Sequence, residues 1–311
     1  MFEVVRYTPE HLEEWNLFIA QSKNGTFLFD RRYMDYHADR FSDHSLMFYR
    51  QEKLYAVLPA NEREHTFYTH QGLTYGGLVM GTEATTVHVI EIFELLNQYL
   101  KQHDIHKVVY KAVPWIYHLI PAEEPLYAIH RTCRYSLLER DVSSTIVLSR
   151  PVKWKKDRRH GLRLSRDNGI EVKRSEDYAA FWPILEENLH TNHGVKPVHS
   201  LDEILLLHQR FPKNIVLFEA RKDGQMLGGC VVYLMSQVVH TQYISATPEG
   251  KRLGVVDALI HEVLCTYPEC QYLDFGKSTE THSDMLNENL IYQKEGFGAR
   301  AVCYDTYGWE P

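Results

Sequence analysis

The stretch that decides the fold is HTQYISATPEGKRLGVVDAL, residues 240–259. Its first residues, His240–Ser245, predict a strand, and the apolar spacing from Val255 to Leu264 predicts a helix. Between them, Pro248 and Gly254 indicate a turn where the strand ends and the helix begins. A strand that leads directly into a helix indicates an α/β unit.

Working outward from this stretch, the same order of elements occurs in both halves of the chain. The second half has strands before and after the quoted stretch, at Ile215–Ala220, Leu227–Leu234 and Tyr272–Phe275. The first half offers matching elements at Leu46–Arg50, Leu54–Leu58, Val87–Gln102 and Val108–Tyr110. Matching elements of the two halves are separated by a nearly constant number of residues, which suggests a duplicated α/β unit with a mixed sheet. We place the two domains at residues 1–150 and 151–311.

Composition narrows the class of protein. With 311 residues, 44% hydrophobic, 24% charged and a net charge of −7, the chain reads as a soluble globular protein that does not wrap nucleic acid. The five cysteines lack C-x-x-C spacing, which indicates a reducing compartment. The N-terminus has no signal-peptide core, and the long uncharged stretch 224–248 is too polar for a membrane span. We therefore expect a cytoplasmic protein; nothing in the sequence assigns its oligomeric state.

One local segment departs from this acidic balance. Residues 150–174 contain ten Lys or Arg against three acids. Lys155, Arg159, Arg163 and Arg166 recur at helical spacing and form one stripe. The stripe is either a solvated helix face or a dock for the phosphates of a nucleotide, CoA or tRNA-like ligand.

The quoted stretch resembles the cofactor strand and helix of the GNAT acyltransferase superfamily. Lys251, Gly254 and Val256 take the positions of that family's Arg/Gln-x-x-Gly-x-Gly pattern, with Val256 in place of the second glycine. In that family the helix N-terminus binds the CoA pyrophosphate. The resemblance therefore implies acyl-CoA as co-substrate and cofactor-binding roles for the following residues: Lys251, Arg252, Gly254, Tyr243 and Ser245.

A second resemblance is more specific. YLDFG at 272–276, KEGFG at 294–298 and the early Tyr75-Gly76-Gly77 are similar to Fem-type (FemAB-like) proteins, which are tandem GNAT folds. That family includes peptidoglycan aminoacyltransferases that use aminoacyl-tRNA. This chain has no heptad segment for their coiled-coil arm, so it resembles the short branch. The resemblance implies two tandem GNAT-like domains, with the acceptor side in the first and the donor and catalytic side in the second.

Acyl transfer to an amine requires a base, oxyanion donors and an acid for the leaving group. Lys294 matches the reaction-centre lysine of the Fem-type signature, although a surface lysine is the plain alternative. Glu280, in the loop after the 272–275 strand, is a candidate base or an ordinary solvated acid. His240 is a candidate base or a core histidine. For Asp274, within an apolar strand, a structural hydrogen bond is favoured over catalysis.

Other polar residues are candidate substrate ligands: Tyr75, His193, Gln242, Asn287 and Gln293. His240 and Gln242 alternate along the strand and are predicted to share a face. His190, His193 and His199 could hold zinc, but Gly194 and Pro197 would break a helix that carries them, so we expect no metal.

The predicted function is transfer of an acyl group from acyl-CoA to an amine acceptor. The acceptor would be an amino sugar, nucleotide-sugar or peptide, and the family resemblance relates it to the cell envelope. Two alternatives stay open: a FemAB-like aminoacyltransferase that uses aminoacyl-tRNA, and a non-catalytic GNAT-fold binding protein. Free N–H groups at the start of the 255–264 helix would favour CoA, whereas a blocked start would favour the alternatives.

Overall fold

The structure, a computed structural model, describes residues 1–279 and 285–311; of Asn192 and His193 it describes the backbone alone. Contacts divide the chain into two units, residues 1–141 with 303–311 and residues 142–302. The sequence places the domain limit between residues 150 and 151. The assignment of acceptor and donor roles to the two domains stays a prediction.

The first unit alternates short strands and helices. Its elements are β1 (Phe2–Arg6), α1 (Leu12–Gln21), α2 (Arg31–Met34), β2 (Ser42–Asp43), β3 (Leu46–Arg50), β4 (Lys53–Leu58), β5 (Asn61–Arg63), β6 (Thr66–Tyr68), β7 (Val79–Met80), α3 (Thr86–Gln102), β8 (Lys107–Lys111), α4 (Glu124–Thr132) and the beginning of β9 (Ser136–Val147). Strands β1, β3, β4 and β7 form one sheet in that order.

Helix α3 provides most of the helical surface in the core of this unit. Its apolar positions recur every three or four residues, so Val89, Ile92, Phe93 and Leu96 share one face and are buried. Strand β6 pairs in parallel with β8, which follows α3 directly in the chain.

The second unit begins within β9 and continues through α5 (Lys156–Asp167), β10 (Glu171–Ser175), α6 (Tyr178–His193), α7 (Leu201–Arg210), β11 (Ile215–Lys222), β12 (Gln225–Leu234), β13 (Val238–Ala246), α8 (Pro248–Arg252), α9 (Val255–Thr266), β14 (Tyr272–Lys277), α10 (Glu288–Gly296) and the start of β15 (Arg300–Trp309). Its strand order is β10-β11-β12-β13-β14-β9.

The core of the second unit lies between this sheet and α9. Val255, Leu259, Ile260 and Val263 of the helix are fully buried against it. Strand β12 reads as a nearly continuous apolar run and is buried along almost its whole length, as expected of a central strand with both faces covered.

The predicted α/β class with a mixed sheet is confirmed, and most predicted elements lie within two residues of their observed bounds. The sequence also predicts a helix at Arg31–Phe41, and the observed helix there is shorter: α2 ends at Met34, and the 3₁₀ turns that follow are interrupted at His37, whose backbone is not helical. In the described ranges, no helix combines the length and the apolar character that a bilayer crossing requires.

Candidate active site

Strands β13 and β14 diverge in the second unit. They are parallel and pair over three residues in the described ranges, Val238–His240 with Tyr272–Asp274. Beyond His240, β13 continues to Ala246 and stays paired with β12, where Gln242 is the extra residue of a β-bulge. In the described residues the β13–β14 ladder thus ends at His240, whereas β13 itself continues to Ala246.

The bulge changes which residues share a face. An extra residue shifts the side-chain alternation by one position. His240 therefore lies in phase with Tyr243 and not with Gln242, which corrects the alternation predicted from the sequence.

His240 and Asp274 form a buried pair where the two strands meet. Nδ1 of His240 lies 2.9 Å from Oδ2 of Asp274. The other carboxylate oxygen of Asp274 accepts hydrogen bonds from Ser143 Oγ at 2.5 Å and Thr145 Oγ1 at 2.9 Å, both on β9. A fully buried carboxylate requires such donors. Asp274 is therefore fixed, and it holds the imidazole in turn, which is how an acid orients a histidine base.

Gly276 keeps the backbone close to this pair. Its φ of +75° is unfavourable for other residues, and a Cβ here would lie 3.1 Å from Cε1 of His240. The glycine of the YLDFG sequence thus lets the end of β14 turn beside the imidazole.

Lys294 is buried, so the surface-lysine reading is wrong. Its Nζ donates to the carbonyl oxygens of Gly276 and Lys277, both at 2.8 Å, and to Ser278 Oγ at 2.9 Å. Burial lowers the pKa of Lys294 to about 8, while the charge of Asp274 acts in the opposite direction. Because the three donors of an ammonium group match these three acceptors, Lys294 fastens α10 to the end of β14.

Tyr243 anchors the loop between α6 and α7. Its hydroxyl lies 2.7 Å from Nδ1 of His199 and accepts from the backbone N–H of His199 at 3.2 Å. Burial raises the pKa of Tyr243 to about 12, with hydrogen bonds from His199 and the Gln242 side chain acting against this rise. The nearby Ser245 donates to the carbonyl of Ile184 in α6. The side chains of both predicted cofactor residues therefore bind neighbouring protein groups.

The N-terminus of α9, the predicted phosphate site, is crowded with oxygen atoms. Gly254 has a φ of +74°, and a Cβ there would overlap the carbonyl oxygen of Gly161 in α5. Asp257, third residue of α9, hydrogen-bonds its own backbone N–H, and its Oδ1 lies 3.2 Å from Nη1 of Arg158. Burial raises the pKa of Asp257 to about 6 against the opposing effect of Arg158. The carbonyl of Gly161 thus lies against Gly254, and the carboxylate of Asp257 takes one of the N–H groups that a phosphate would use.

Two cations, Lys251 and Arg252, are predicted beside this site. Lys251 is exposed and donates to the side chain of Asn188 in α6. Arg252 is exposed on α8.

The basic stripe lies on α5 as predicted. Lys155, Arg159, Arg163 and Arg166 are all exposed. Nζ of Lys155 lies 3.8 Å from the ring centroid of Tyr292, which is itself exposed. Arg166 donates to the ring of His261 in α9 at 2.7 Å. An exposed aromatic ring next to a row of cations is a common arrangement for binding nucleic acid.

The remaining predicted residues are dispersed. Tyr75 is buried in the first unit, where its hydroxyl donates to Thr26 and its ring packs on Tyr117. Asn287 caps α10 by accepting from the N–H of Leu290, and Gln293 is half-buried on the same helix. Glu280 and the side chain of His193 lie outside the described residues.

Sequence reasoning missed several partners of the site. Ser143 and Thr145 lie in a polar run that gave no strand signal, and His199 was weighed only as a metal ligand. Asp257 had one available signal: an acid in the first turn of a helix complements the helix dipole and competes with a phosphate for the same N–H groups.

The comparisons with known proteins agree with this geometry. Residues 153–283 match the family model described as an acetyltransferase (GNAT) domain. FemX shares 9% identity over 99% of this chain and 97% of its own, with a TM-score of 0.71. The C-terminal domain of a putative lysylphosphatidylglycerol synthetase from Agrobacterium fabrum shares 12% over 96% and 91%, with a TM-score of 0.61.

A tandem GNAT protein from the clavulanic acid biosynthesis pathway shares 11% identity over 100% of this chain and 98% of its own, with a TM-score of 0.54. No curated protein matches the chain. At these identities the structural likeness shows a common fold. The predicted resemblance to tandem GNAT proteins is thereby confirmed, and the second unit contains an acyltransferase domain of the GNAT superfamily.

Proposed function

Starting from a chain whose second unit contains a GNAT acyltransferase domain, we propose that the protein transfers an aminoacyl group from aminoacyl-tRNA to an amine. The observation that carries the choice of donor is the crowded N-terminus of α9. Of the two donors that the sequence left open, acyl-CoA requires a pyrophosphate near Val256, and aminoacyl-tRNA does not.

The space at the α9 N-terminus argues against a pyrophosphate. Gly254 packs directly on the carbonyl of Gly161, and the carboxylate of Asp257 already accepts from a first-turn N–H. Each of these oxygens would repel a phosphate. Arg158, the nearby cation, is already paired with Asp257 at 3.2 Å. The N-terminus of α9 therefore interacts with a side chain of the protein itself, Asp257, and is less suited to a ligand phosphate.

The basic stripe supplies the complementary argument. Arg159 and Arg163 are exposed on α5, one turn apart, with Lys155 and Tyr292 at the N-terminal end of the same face. Such a row can follow a ribose-phosphate backbone outside the site. The name of the lysylphosphatidylglycerol synthetase points to transfer of a lysyl group on a similar fold, which is consistent with an aminoacyl donor.

The chemistry assigned to the site begins at His240. When Asp274 accepts the proton on Nδ1, Nε2 carries the lone pair, so His240 has the tautomer that can take a proton from the acceptor ammonium and pass it to solvent. The neutral amine then attacks the ester carbonyl of the donor: the C–N bond forms, the bond from the carbonyl carbon to the ribose oxygen breaks, and the second proton of the nitrogen passes through the imidazole to the leaving ribose oxygen. The proposed donors to the carbonyl oxygen are those backbone N–H groups within Tyr243–Ser245 that point away from β12, because N–H groups alternate between the two edges of a strand. Lys294 holds the end of β14 and Gly276 in place beside the imidazole.

The acceptor is proposed to be an amine on an amino sugar, a nucleotide-sugar or a peptide, in envelope building. Gln242 is the predicted acceptor ligand, and its side chain hydrogen-bonds the hydroxyl of Tyr243. Asn287 and Gln293 on α10 remain candidates for the same role.

The test offers both donors to the full-length protein. Radiolabelled aminoacyl-tRNA and acetyl-CoA are each incubated with a panel of amines, and transfer of label or release of thiol is measured. We expect transfer from aminoacyl-tRNA that is lost in His240→Gln. Binding of tRNA should weaken in an Arg159→Ser/Arg163→Ser variant but not in the control Arg131→Ser/Arg134→Ser, which removes two exposed arginines of the first unit. Thiol release from acetyl-CoA without transfer from tRNA would overturn the choice of donor, and binding of neither would favour the non-catalytic alternative.

A further inference from the structure

A side-chain cluster in the first unit has the composition of a metal site. His65 and His106 flank Asp104 on the protein surface, and one donor atom from each lies within 4.8 Å of the others. Within the described residues it is the one such group of three. We propose that His65, Asp104 and His106 bind a zinc ion.

The donor atoms of the cluster already lie close together. The two carboxylate oxygens of Asp104 lie 3.0 Å from Nδ1 of His65 and 3.0 Å from Nε2 of His106. The imidazole rings stack with 5.0 Å between centroids. Tetrahedral zinc with N and O ligands at about 2.0–2.1 Å places its ligand atoms about 3.3 Å apart. Because an ion lies in the plane of each imidazole that binds it and these planes are 14° apart, one ring must turn about its side-chain torsions, and Nδ1 of His65 must leave the carbonyl oxygen of Asp104, 3.0 Å away. All three side chains are exposed, so they have room for this rotation.

The backbone holds the three residues together from two segments. His65 lies in the turn between β5 and β6, whereas Asp104 and His106 lie between α3 and β8. The N–H of His106 donates to the carbonyl of His65 at 2.8 Å, and Thr66 pairs with Lys107 in the adjoining parallel ladder. The two backbone segments are thus held side by side before any ion binds, so only the side chains have to be ordered on binding.

The chemistry of the donors selects the type of metal. Two imidazoles and one carboxylate suit zinc and similar borderline cations, whereas calcium and magnesium prefer oxygen ligands alone. A groove of about 430 Å³ borders Asp104 and His106 and is also lined by Lys101 and Glu310. It leaves room for the water that completes a three-residue site.

These residues are distinct from the histidines that the sequence considered for a metal, and none of them belongs to the proposed active site. An ion here would join the β5–β6 turn to the segment that follows α3. Its expected effect is stabilisation of the first unit, because an ion that binds the folded state alone stabilises it.

The experiment titrates zinc alone into the EDTA-treated, dialysed full-length protein by calorimetry. We expect one zinc per chain and a rise in melting temperature that EDTA reverses. His65→Asn and Asp104→Asn suit the positive φ values of these positions, 58° and 59°, because Asn tolerates them. Each of these two variants and His106→Ala should lose about tenfold or more in zinc affinity. All three ligands are exposed, so the metal-free variants should melt as the metal-free wild type does.

Two controls separate this site from other histidines. His130→Ala removes an exposed histidine of the same unit, and His261→Ala removes the partner of Cys265, whose Sγ lies 3.1 Å from Nδ1 of His261. Both should bind zinc as the wild type does. Unchanged affinity in His106→Ala, loss of binding in His261→Ala, or no binding by the wild type would each overturn the proposal.

Discussion

The buried ammonium group of Lys294 should make the stability of the protein depend on pH in a defined direction. Burial lowers its pKa from 10.5 to about 8 in the folded state. Between these two values the unfolded chain binds more protons than the folded chain does. Stability therefore rises with pH in this window, because the folded state no longer pays for a buried charge once the lysine is neutral.

The size of the effect follows from the two pKa values. One pKa unit corresponds to 1.36 kcal/mol, and integration from pH 7 to pH 9.5 gives a gain of about 2 kcal/mol in the free energy of unfolding that is attributable to Lys294. Lys294→Met removes this contribution. The free energy of unfolding of the wild type, relative to that of the variant, should thus increase by about 2 kcal/mol over this range.

The assay is urea unfolding of both proteins at pH 7, 8 and 9.5, in one buffer system at constant ionic strength. Lys153→Met is the matched control, because it makes the same substitution at an exposed lysine. A difference between wild type and Lys294→Met that stays constant with pH would refute the reasoning. It would mean that the hydrogen bonds to Gly276, Lys277 and Ser278 outweigh burial and keep the ammonium charged.

Three further predictions test other parts of the second unit. Gly254→Ala should cost clearly more unfolding free energy than Gly224→Ala, which should cost about 1 kcal/mol, because both glycines have positive φ but only Gly254 faces a backbone oxygen; equal losses in urea unfolding would contradict the packing on Gly161. Asp274→Asn should lower kcat of acyl transfer by about 10²–10⁴-fold with little change in KM, since the acid that orients His240 is lost, and an unchanged kcat would remove His240 from the mechanism. Asn287→Ala should cost about 1 kcal/mol in unfolding free energy through loss of the α10 cap, and a rise in KM in the same variant would show that Asn287 also binds the acceptor.

The regular elements were accessible from the sequence because their signals are local. The apolar spacing of α3 and α9 and the β-rich runs of β11 to β14 each lie within one short window. The repeated order of these elements was enough to predict a duplicated α/β unit. The strand β9 gives no such local signal, because its buried Ser143 and Thr145 are polar and their hydrogen-bond partner is Asp274, more than a hundred residues away in the chain.

The site residues were only partly accessible, for a physical reason that Gln242 illustrates. A single bulged residue reverses the side-chain alternation of the rest of the strand, and no propensity marks where a bulge occurs. Lys294 presents a related difficulty. The residues around it read as an ordinary helix end, and its burial follows from three acceptors at the end of another element.

The loss of the second glycine in the motif and the packing of α5 can be understood together. A helix N-terminus that binds phosphate must leave its backbone N–H groups uncovered. Here Val256 is followed by Asp257, whose carboxylate accepts from its own backbone N–H and forms an ion pair with Arg158 of α5. Gly161 and Gly254 allow the backbones of α5 and α9 to approach closely enough for that pairing. Arg158 of α5 thus pairs with Asp257 at the start of α9, whereas Arg159 and Arg163 of the same helix are exposed to solvent. The uncompensated positive charge therefore lies on the outer face of α5 and not at the α9 N-terminus. Under the proposed function, that arrangement suits a ligand with many phosphates along an exposed backbone better than a single buried pyrophosphate.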